Sequence, residues 1–269
     1  MRILLVNDDG INSAGLPIIK KELVKLGNVT VVVPNGERSG FSNSITVFGP
    51  LTIQRYFVDK DGVKIYVIGG TPVDCVKLAL LELMPAKPDI TVSGINFGLN
   101  TGSNILYSGT VAGALEAAQF GIPSFAISYG VTKKIDYDGA SKIASKIIRS
   151  LFQNFSARGV AFNINFPGMP LKKIKGILIT HQEDVPYEDY YEKYKDPRGN
   201  LHFWLKGNPE KHYKPKLKKA DGSILSDAEA VRRGFVSITP LGRNLTHYDE
   251  ISRMRKMTAS NGKFCLFSL

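Results

Sequence analysis

Residues 1–34 read MRILLVNDDGINSAGLPIIKKELVKLGNVTVVVP, and the order of patterns within them decides the fold. Residues 3–6 are an unbroken apolar run, as expected of a strand covered on both faces. Residues 16–26 have helical spacing, with Pro17 suited to a first turn. Residues 29–33 are a second, β-branched run that Pro34 ends. Strand, helix, strand in this order opens a parallel sheet with a right-handed crossover. The pattern recurs downstream as helix 73–83, strand 90–93, helix 110–120, strand 124–128 and helix 139–152, with further strands expected at 159–166 and 174–180. A layered α/β fold is predicted.

Two stretches break the alternation. Residues 44–48, 51–58 and 63–68 read as short strands joined by Gly-Pro and Asp-Gly turns, an antiparallel insertion at the sheet edge. From 183 to 219 periodicity fails and aromatic and charged residues mix, among them Tyr187, Tyr190, Tyr191, Tyr194, Phe203, Trp204 and Tyr213. That composition is too aromatic for disorder and predicts a protruding hairpin that packs on a partner subunit. Residues 235–239 are expected to return as a strand, and the last ~25 as a helix and tail.

Composition narrows the class. The 269 residues, 43% apolar and 22% charged, suit one substantial globular core, with or without a smaller appendage. No stretch approaches the ~18 apolar residues of a membrane span, and the short apolar start is followed at once by two acids, so the cytoplasm is the expected location. Cys75 sits in an apolar helical run and reads as a buried thiol; Cys265 has no metal-type partner nearby. The net charge of +11 is one-sided: residues 1–130 carry ten basic and ten acidic groups, and the remainder 25 and 14. That excess suits a solvated surface or the steering of anionic substrates, and no nucleic-acid-binding motif accompanies it.

Ligands of a parallel α/β sheet bind beyond the carboxyl ends of its strands, where strand order reverses. The loops that fall there begin with Asn7-Asp8-Asp9-Gly10, Glu37-Arg38-Ser39-Gly40 and Ser93-Gly94-Ile95-Asn96, and the last runs on through Ser108-Gly109-Thr110 into a helix. Adjacent carboxylates repel, and a hard divalent cation, Mg²⁺ or Mn²⁺, relieves that repulsion. Both acids can serve one ion only if the chain turns between strand and loop, which Gly10 permits. The alternative is that Asp9 caps the next helix and Asp8 pairs with a base. Ser39 and Asn96 can act as neutral oxygen ligands. The glycine- and asparagine-rich segment 93–118 suits phosphate at a helix start, where Ser108 or Thr110 can add hydroxyl donors. GxGxxG and GxxxxGK[ST] are both absent, and the histidines, His181, His202, His212 and His247, are all remote from these loops. Asp74, behind Thr71-Pro72, is expected to complement a helix start. Base recognition is expected of loops such as 41–43.

Taken together, VNDDGINSAG (6–15), PNGERSGFSNSIT (34–46), GGTPVDCVKLAL (69–80) and SGINFGLNTGSNILYSGTVAGALEAAQFGIPSFAIS (93–128) resemble the survival protein E (SurE) family of 5′/3′-nucleotidases. DPRGNLHFWLKG (196–207) and VSITPL (236–241) are weaker echoes, and residues 242–269 depart from the family pattern. The resemblance implies a Rossmann-like catalytic domain over 1–180, with the 44–68 insertion, and a C-terminal extension, 181–269, packed on it and used to form a homodimer or homotetramer. It implies one divalent metal ion on Asp8, Asp9, Ser39 and Asn96, with Asp8 and Asp9 as the catalytic acids. Phosphate contacts are implied for Ser108, Gly109 and Thr110, with Asn96 beside them. The implied substrates are nucleoside 5′- and 3′-monophosphates, with short polyphosphate for some members.

The expected chemistry is metal-assisted hydrolysis by in-line displacement, with Asp9 or bulk water protonating the leaving oxygen. Two rival readings make different predictions. A nucleotide-sugar transferase requires a second nucleotide-binding domain, for which 131–269 is too irregular. A nucleic-acid- or partner-binding protein that uses the basic half predicts salt-sensitive binding without phosphate release.

Overall fold

The computed structural model describes residues 1–133, 135–155, 159–184, 189–207 and 224–257. Among the described residues nine strands form one sheet in the order β3-β4-β2-β1-β5-β6-β7-β11-β8. They are β1 (Arg2–Val6), β2 (Asn28–Pro34), β3 (Ile53–Val58), β4 (Lys64–Ile68), β5 (Ile90–Phe97), β6 (Ser124–Tyr129), β7 (Ala161–Phe166), β8 (Ile177–Ile179) and β11 (Val236–Leu241). A separate antiparallel pair joins β9 (Asp189–Lys195) to β10 (Leu201–Gly207). The helices are α1 (Leu16–Val24), α2 (Pro72–Leu78), α3 (Gly109–Gln119), α4 (Tyr137–Asn154), α5 (Asp227–Arg232) and α6 (Tyr248–Met257).

Strand alternation sorts the core into two layers. Ile3 and Leu5 of β1 pack with Ile19 and Leu23 of α1 and with Ala144 and Ile148 of α4. Leu4 and Val6 point the other way, toward Cys75 and Val76 of α2 and Ala117 of α3. The result is a Rossmann-like three-layer α/β fold. Strands β2, β1, β5, β6 and β7 run parallel. Strand order reverses between β1, which leads to β2, and β5, which leads to β6, so the switch point lies between the ends of β1 and β5.

The edges refine the expectation. β4 joins β2 in parallel, and only β3 is antiparallel to it, closing the insertion as an edge hairpin. Residues 44–48 are not a strand. Thr71 caps α2 and its hydroxyl donates to the Ser44 carbonyl, while Asp74 takes both the backbone N–H and the hydroxyl of Thr46. With these groups already bound to side chains, the apolar alternation of this stretch cannot enter a ladder, and Ile45, Val47 and Phe48 stand exposed. β8 covers less than the expected 174–180. β11 lies between β7 and β8, antiparallel to β7 and parallel to β8.

The predicted hairpin in 183–219 is seen as β9 and β10, with Tyr190, Tyr191, Phe203 and Trp204 exposed. Tyr187, His212, Tyr213 and Cys265, with the tail beyond 257, lie outside the described residues. Cys75 is buried, and burial pushes its thiol pKa up, as for an inert core cysteine. Among the described residues no helix is long and apolar enough to cross a membrane.

Candidate active site

The site begins where β1 stops. Val6 pairs in register with Ser93 of β5, so Asp8 and Asn96 leave neighbouring strands at nearly the same height. The chain then turns sharply. Asn7 closes the turn by donating its side-chain amide to the Gly10 carbonyl (2.9 Å) and accepting the Gly10 N–H (3.2 Å). Gly10 has φ +81°, and a Cβ there would sit 2.9 Å from the Gly36 backbone. Only glycine satisfies both conditions.

The alternation of β1 carries into the acid pair. Asp8 continues the Leu4 and Val6 face toward α3, where it accepts from the Thr110 hydroxyl. Asp9 turns the opposite way, taking the Ser13 hydroxyl at 3.4 Å. The helix-cap alternative for Asp9 is not what forms: the N-cap of α1 is Gly15, and no side chain caps it. Among the described residues no basic side chain forms an ion pair with either acid.

The neighbouring loops are hung on Asp8. Its carbonyl accepts the Arg38 N–H at 2.7 Å, which places the loop carrying Ser39. Gly109 fills the remaining gap, since a Cβ there would lie 2.8 Å from the Asp8 Cβ and 3.2 Å from the Arg38 carbonyl. Asp8, Ser39, Asn96 and Ser108 line one cavity of about 210 Å³, together with Phe97, Asn104 and Tyr107. Asp9, Gly109 and Thr110 are not among the lining residues, but Asp9 and Gly109 adjoin Asp8 and Ser108 in sequence and Thr110 bonds to Asp8.

Electrostatics separate this pair from the buried Asp74, though Asp227, also buried, is raised like the pair. Asp74 is also buried, yet hydrogen bonds from Thr46 and Thr71 outweigh its desolvation and hold its pKa below the usual carboxylate value. Burial raises the pKa of Asp8, only partly countered by Thr110. Burial and then the charge of Asp8 push Asp9 up to about 6. The pair lacks the compensation that Asp74 has.

The donor set fits a hard divalent cation. Two carboxylates, a hydroxyl and an amide oxygen are all oxygen ligands. Asn96 donates its amide nitrogen to the Gly98 carbonyl at 3.0 Å, which leaves Oδ1 as the free atom. Among the described residues no group of three or more His, Cys, Asp or Glu is placed to hold a metal ion, so neutral oxygens would have to complete the set. Among the described residues no lysine or arginine lines the cavity, so a cation is also what would let an anion approach Asp8.

Several groups around the site were not anticipated. The Thr110 hydroxyl donates to Asp8. The unused donors at the α3 start are the Ser108 hydroxyl, which accepts from Val111 N–H as the helix cap, and the Gly109 amide. The loop between Asn96 and Ser108 is fixed from far away. Asn100 is bound through its backbone by Asn163 and Asn165 and through its side chain by Ser128. Asp227, fully buried at the start of α5, accepts Gly102 N–H (3.0 Å) and Glu183 N–H (3.0 Å). One signal was available: Asn163 and Asn165 occupy alternate positions of an otherwise apolar strand, the mark of a buried polar seam.

Fold and site together define a doubly wound α/β protein whose switch-point crevice sets an uncompensated acid pair opposite a glycine-rich helix start. Residues 3–189 match the family described as Survival protein SurE, and the chain belongs to the SurE family. It is 39% identical over 258 residues to the 5′-nucleotidase SurE of Syntrophus aciditrophicus, covering 96% of this chain and 94% of that protein. With the 5′-nucleotidase SurE of Synechococcus elongatus it shares 40% identity over 256 residues, covering 94% and 98%. The crystal structure of the SurE protein from Aquifex aeolicus is similar to it with a TM-score of 0.79 at 34% identity, covering 96% and 99% of the two chains.

Proposed function

We propose that this chain is a metal-dependent phosphomonoesterase that hydrolyses nucleoside 5′- and 3′-monophosphates to nucleoside and phosphate, with short polyphosphate as a further substrate. The observation that carries this reading is the convergence of Asp8, Ser39, Asn96 and Ser108, from separate segments, on one cavity that no basic side chain lines among the described residues. Near-full-length relatives named 5′-nucleotidase support it.

Asp8, Asp9, Ser39 and Asn96 would hold one divalent ion, Mg²⁺ or Mn²⁺, which when bound offsets phosphoryl charge and lowers the pKa of a water. Asp8 and Asp9 serve catalysis by holding the negative side of the site in place. Ser108, Gly109 and Thr110 take the opposite side of the phosphoryl group, with Asn96 between the two walls. Ser108 offers its hydroxyl and Gly109 its amide at the positive end of α3, and Thr110 fixes Asp8 against that end. These groups are oriented before substrate arrives, the arrangement that best stabilises charge developing in phosphoryl transfer.

The exposed aromatic hairpin of β9 and β10 suits assembly as a homodimer or homotetramer through the 181–269 extension. The cytoplasm is the proposed location. The test is release of inorganic phosphate from 5′-AMP, 5′-GMP and 3′-AMP with Mg²⁺ or Mn²⁺, before and after chelation. Turnover is expected only with metal. Activity that survives exhaustive chelation, or no phosphate with either ion, overturns the reading.

A further inference from the structure

Phosphate and metal account for the floor of the cavity but leave its mouth unexplained. Two aromatic side chains line that cavity, Phe97 and Tyr107. They are 55% and 63% exposed, far more than large apolar groups beside a buried acid need to be. Neither ring stacks on another aromatic group or on a cation among the described residues, in contrast to Phe41, which lies under the Arg38 guanidinium at 5.6 Å. Residues 41–43, where the sequence pointed for base recognition, do not line the cavity.

The backbone under Tyr107 is braced. Ser42 donates its N–H to the Tyr107 carbonyl (3.1 Å) and its hydroxyl to the Leu106 carbonyl (2.6 Å). To do so Ser42 adopts φ 51°, a conformation disfavoured for a residue with a side chain. Phe97 ends β5, one residue after Asn96, and pairs in register with Tyr129 of β6. Both rings therefore project from fixed backbone.

The cavity volume, about 210 Å³, falls below the ~300–1,000 Å³ typical of clefts that enclose a whole ligand of drug size. A mononucleotide with its phosphoryl group at Asn96 and Ser108 fills that space with phosphate and sugar, and its base emerges at the mouth. We propose that Phe97 and Tyr107 form the platform on which the nucleobase stacks, making the site one for nucleotides rather than for phosphate esters in general. The inference rests on the nucleotidase reading and adds the group that selects the substrate. Stacking uses the π-face that every base has, so the platform accepts purines and pyrimidines alike.

The test compares kcat/KM for 5′-AMP, 5′-CMP and ribose 5-phosphate, which keeps the sugar and the ester but lacks the base, on the metal-loaded full chain. Tyr107→Leu and Phe97→Leu, singly and together, keep an apolar side chain without a ring. The ratio of AMP or CMP to ribose 5-phosphate is expected to fall about tenfold in the double variant, mostly through KM, in the range that loss of a base stack gives. Tyr107→Phe, which keeps the ring, is expected to retain the ratio. An unchanged ratio overturns the platform, as does an equal loss on all three substrates. So does a change of oligomeric state with the ratio intact, which would make the rings an interface between copies. A wild-type chain that releases phosphate from none of the three would instead remove the nucleotidase reading itself.

Discussion

The two walls of the crevice are built in opposite ways. The acid wall is local: Asn7, Asp8, Asp9 and Gly10 are consecutive, and the turn is closed by bonds between Asn7 and Gly10. The anion wall, from Asn96 to Thr110, is held at a distance by Asn163 and Asn165 of β7 and by Asp227 of α5, 125 residues beyond Gly102. The difference teaches where each wall's stability comes from. The first is set by the end of one strand, while the second depends on β7 and α5, far along the chain, being folded around it.

Asp8→Asn tests the acid wall and should have the largest effect. Asn keeps an acceptor for the Thr110 hydroxyl but removes the charge that would hold a cation. Turnover should fall about 10³-fold or more, on the scale of losing a principal electrostatic group. Because the Asp8 pKa is raised by burial, the neutral substitute should leave the metal-free melting temperature unchanged or higher. A drop in both would mean that Asp8 is a structural acid.

Gly109→Ala strikes the point where the walls meet. The added methyl would lie 2.8 Å from the Asp8 Cβ and 3.2 Å from the Arg38 carbonyl, so one of the two must move. A displacement of this size at a catalytic centre costs about 100-fold in kcat/KM. If kcat/KM is retained, the spacing between Asp8 and the start of α3 is not what sets the rate.

Asp227→Ala addresses the remote support of the anion wall. It leaves the buried N–H groups of Gly102 and Glu183 unpaired, a loss of about 1–3 kcal/mol that lowers Tm by roughly 5 °C. If the anion wall is positioned from the C-terminal region, KM for AMP should also rise about tenfold, and Asp227→Asn should recover part of it. A fall in Tm with KM intact would cut the link between α5 and the site.

The same contrast explains what could be read before folding. The apolar runs of β1, β2 and β5 and the helical spacing of α1 declared the layered sheet, because burial on both faces leaves a continuous signal. Asp8, Ser39, Asn96 and Ser108 could be named because each sits at a strand end or helix start whose position follows from that sheet. Thr110 as a brace for Asp8 could not be named, since 102 residues separate them. Residues 44–48 misled for a related reason. Their alternation is that of a strand, but Asp74, 28 residues beyond Thr46, removes the backbone donor a strand would use.

The smallest expected effect, and the most discriminating for the acid wall, is the competition between metal and protons. Burial and the charge of Asp8 raise Asp9 to about 6, above the ordinary 3.8, so the folded, metal-free protein retains a proton that the unfolded chain loses. The site's contribution to stability is therefore present below about pH 4 and is lost as pH rises through 6. A divalent ion replaces that proton and should restore stability where the proton is gone. At pH 7.5 a metal concentration ~100-fold above Kd should raise Tm by about 5 °C. At pH 5, where the proton still occupies the pair, the same concentration should give less than half that shift. Asp74, held low by Thr46 and Thr71, contributes stability that is lost only as pH falls, so it cannot mimic this pattern. Scanning calorimetry at the two pH values, with and without Mn²⁺, makes the measurement. Equal shifts at both would show that the ion binds away from the Asp8 and Asp9 carboxylates.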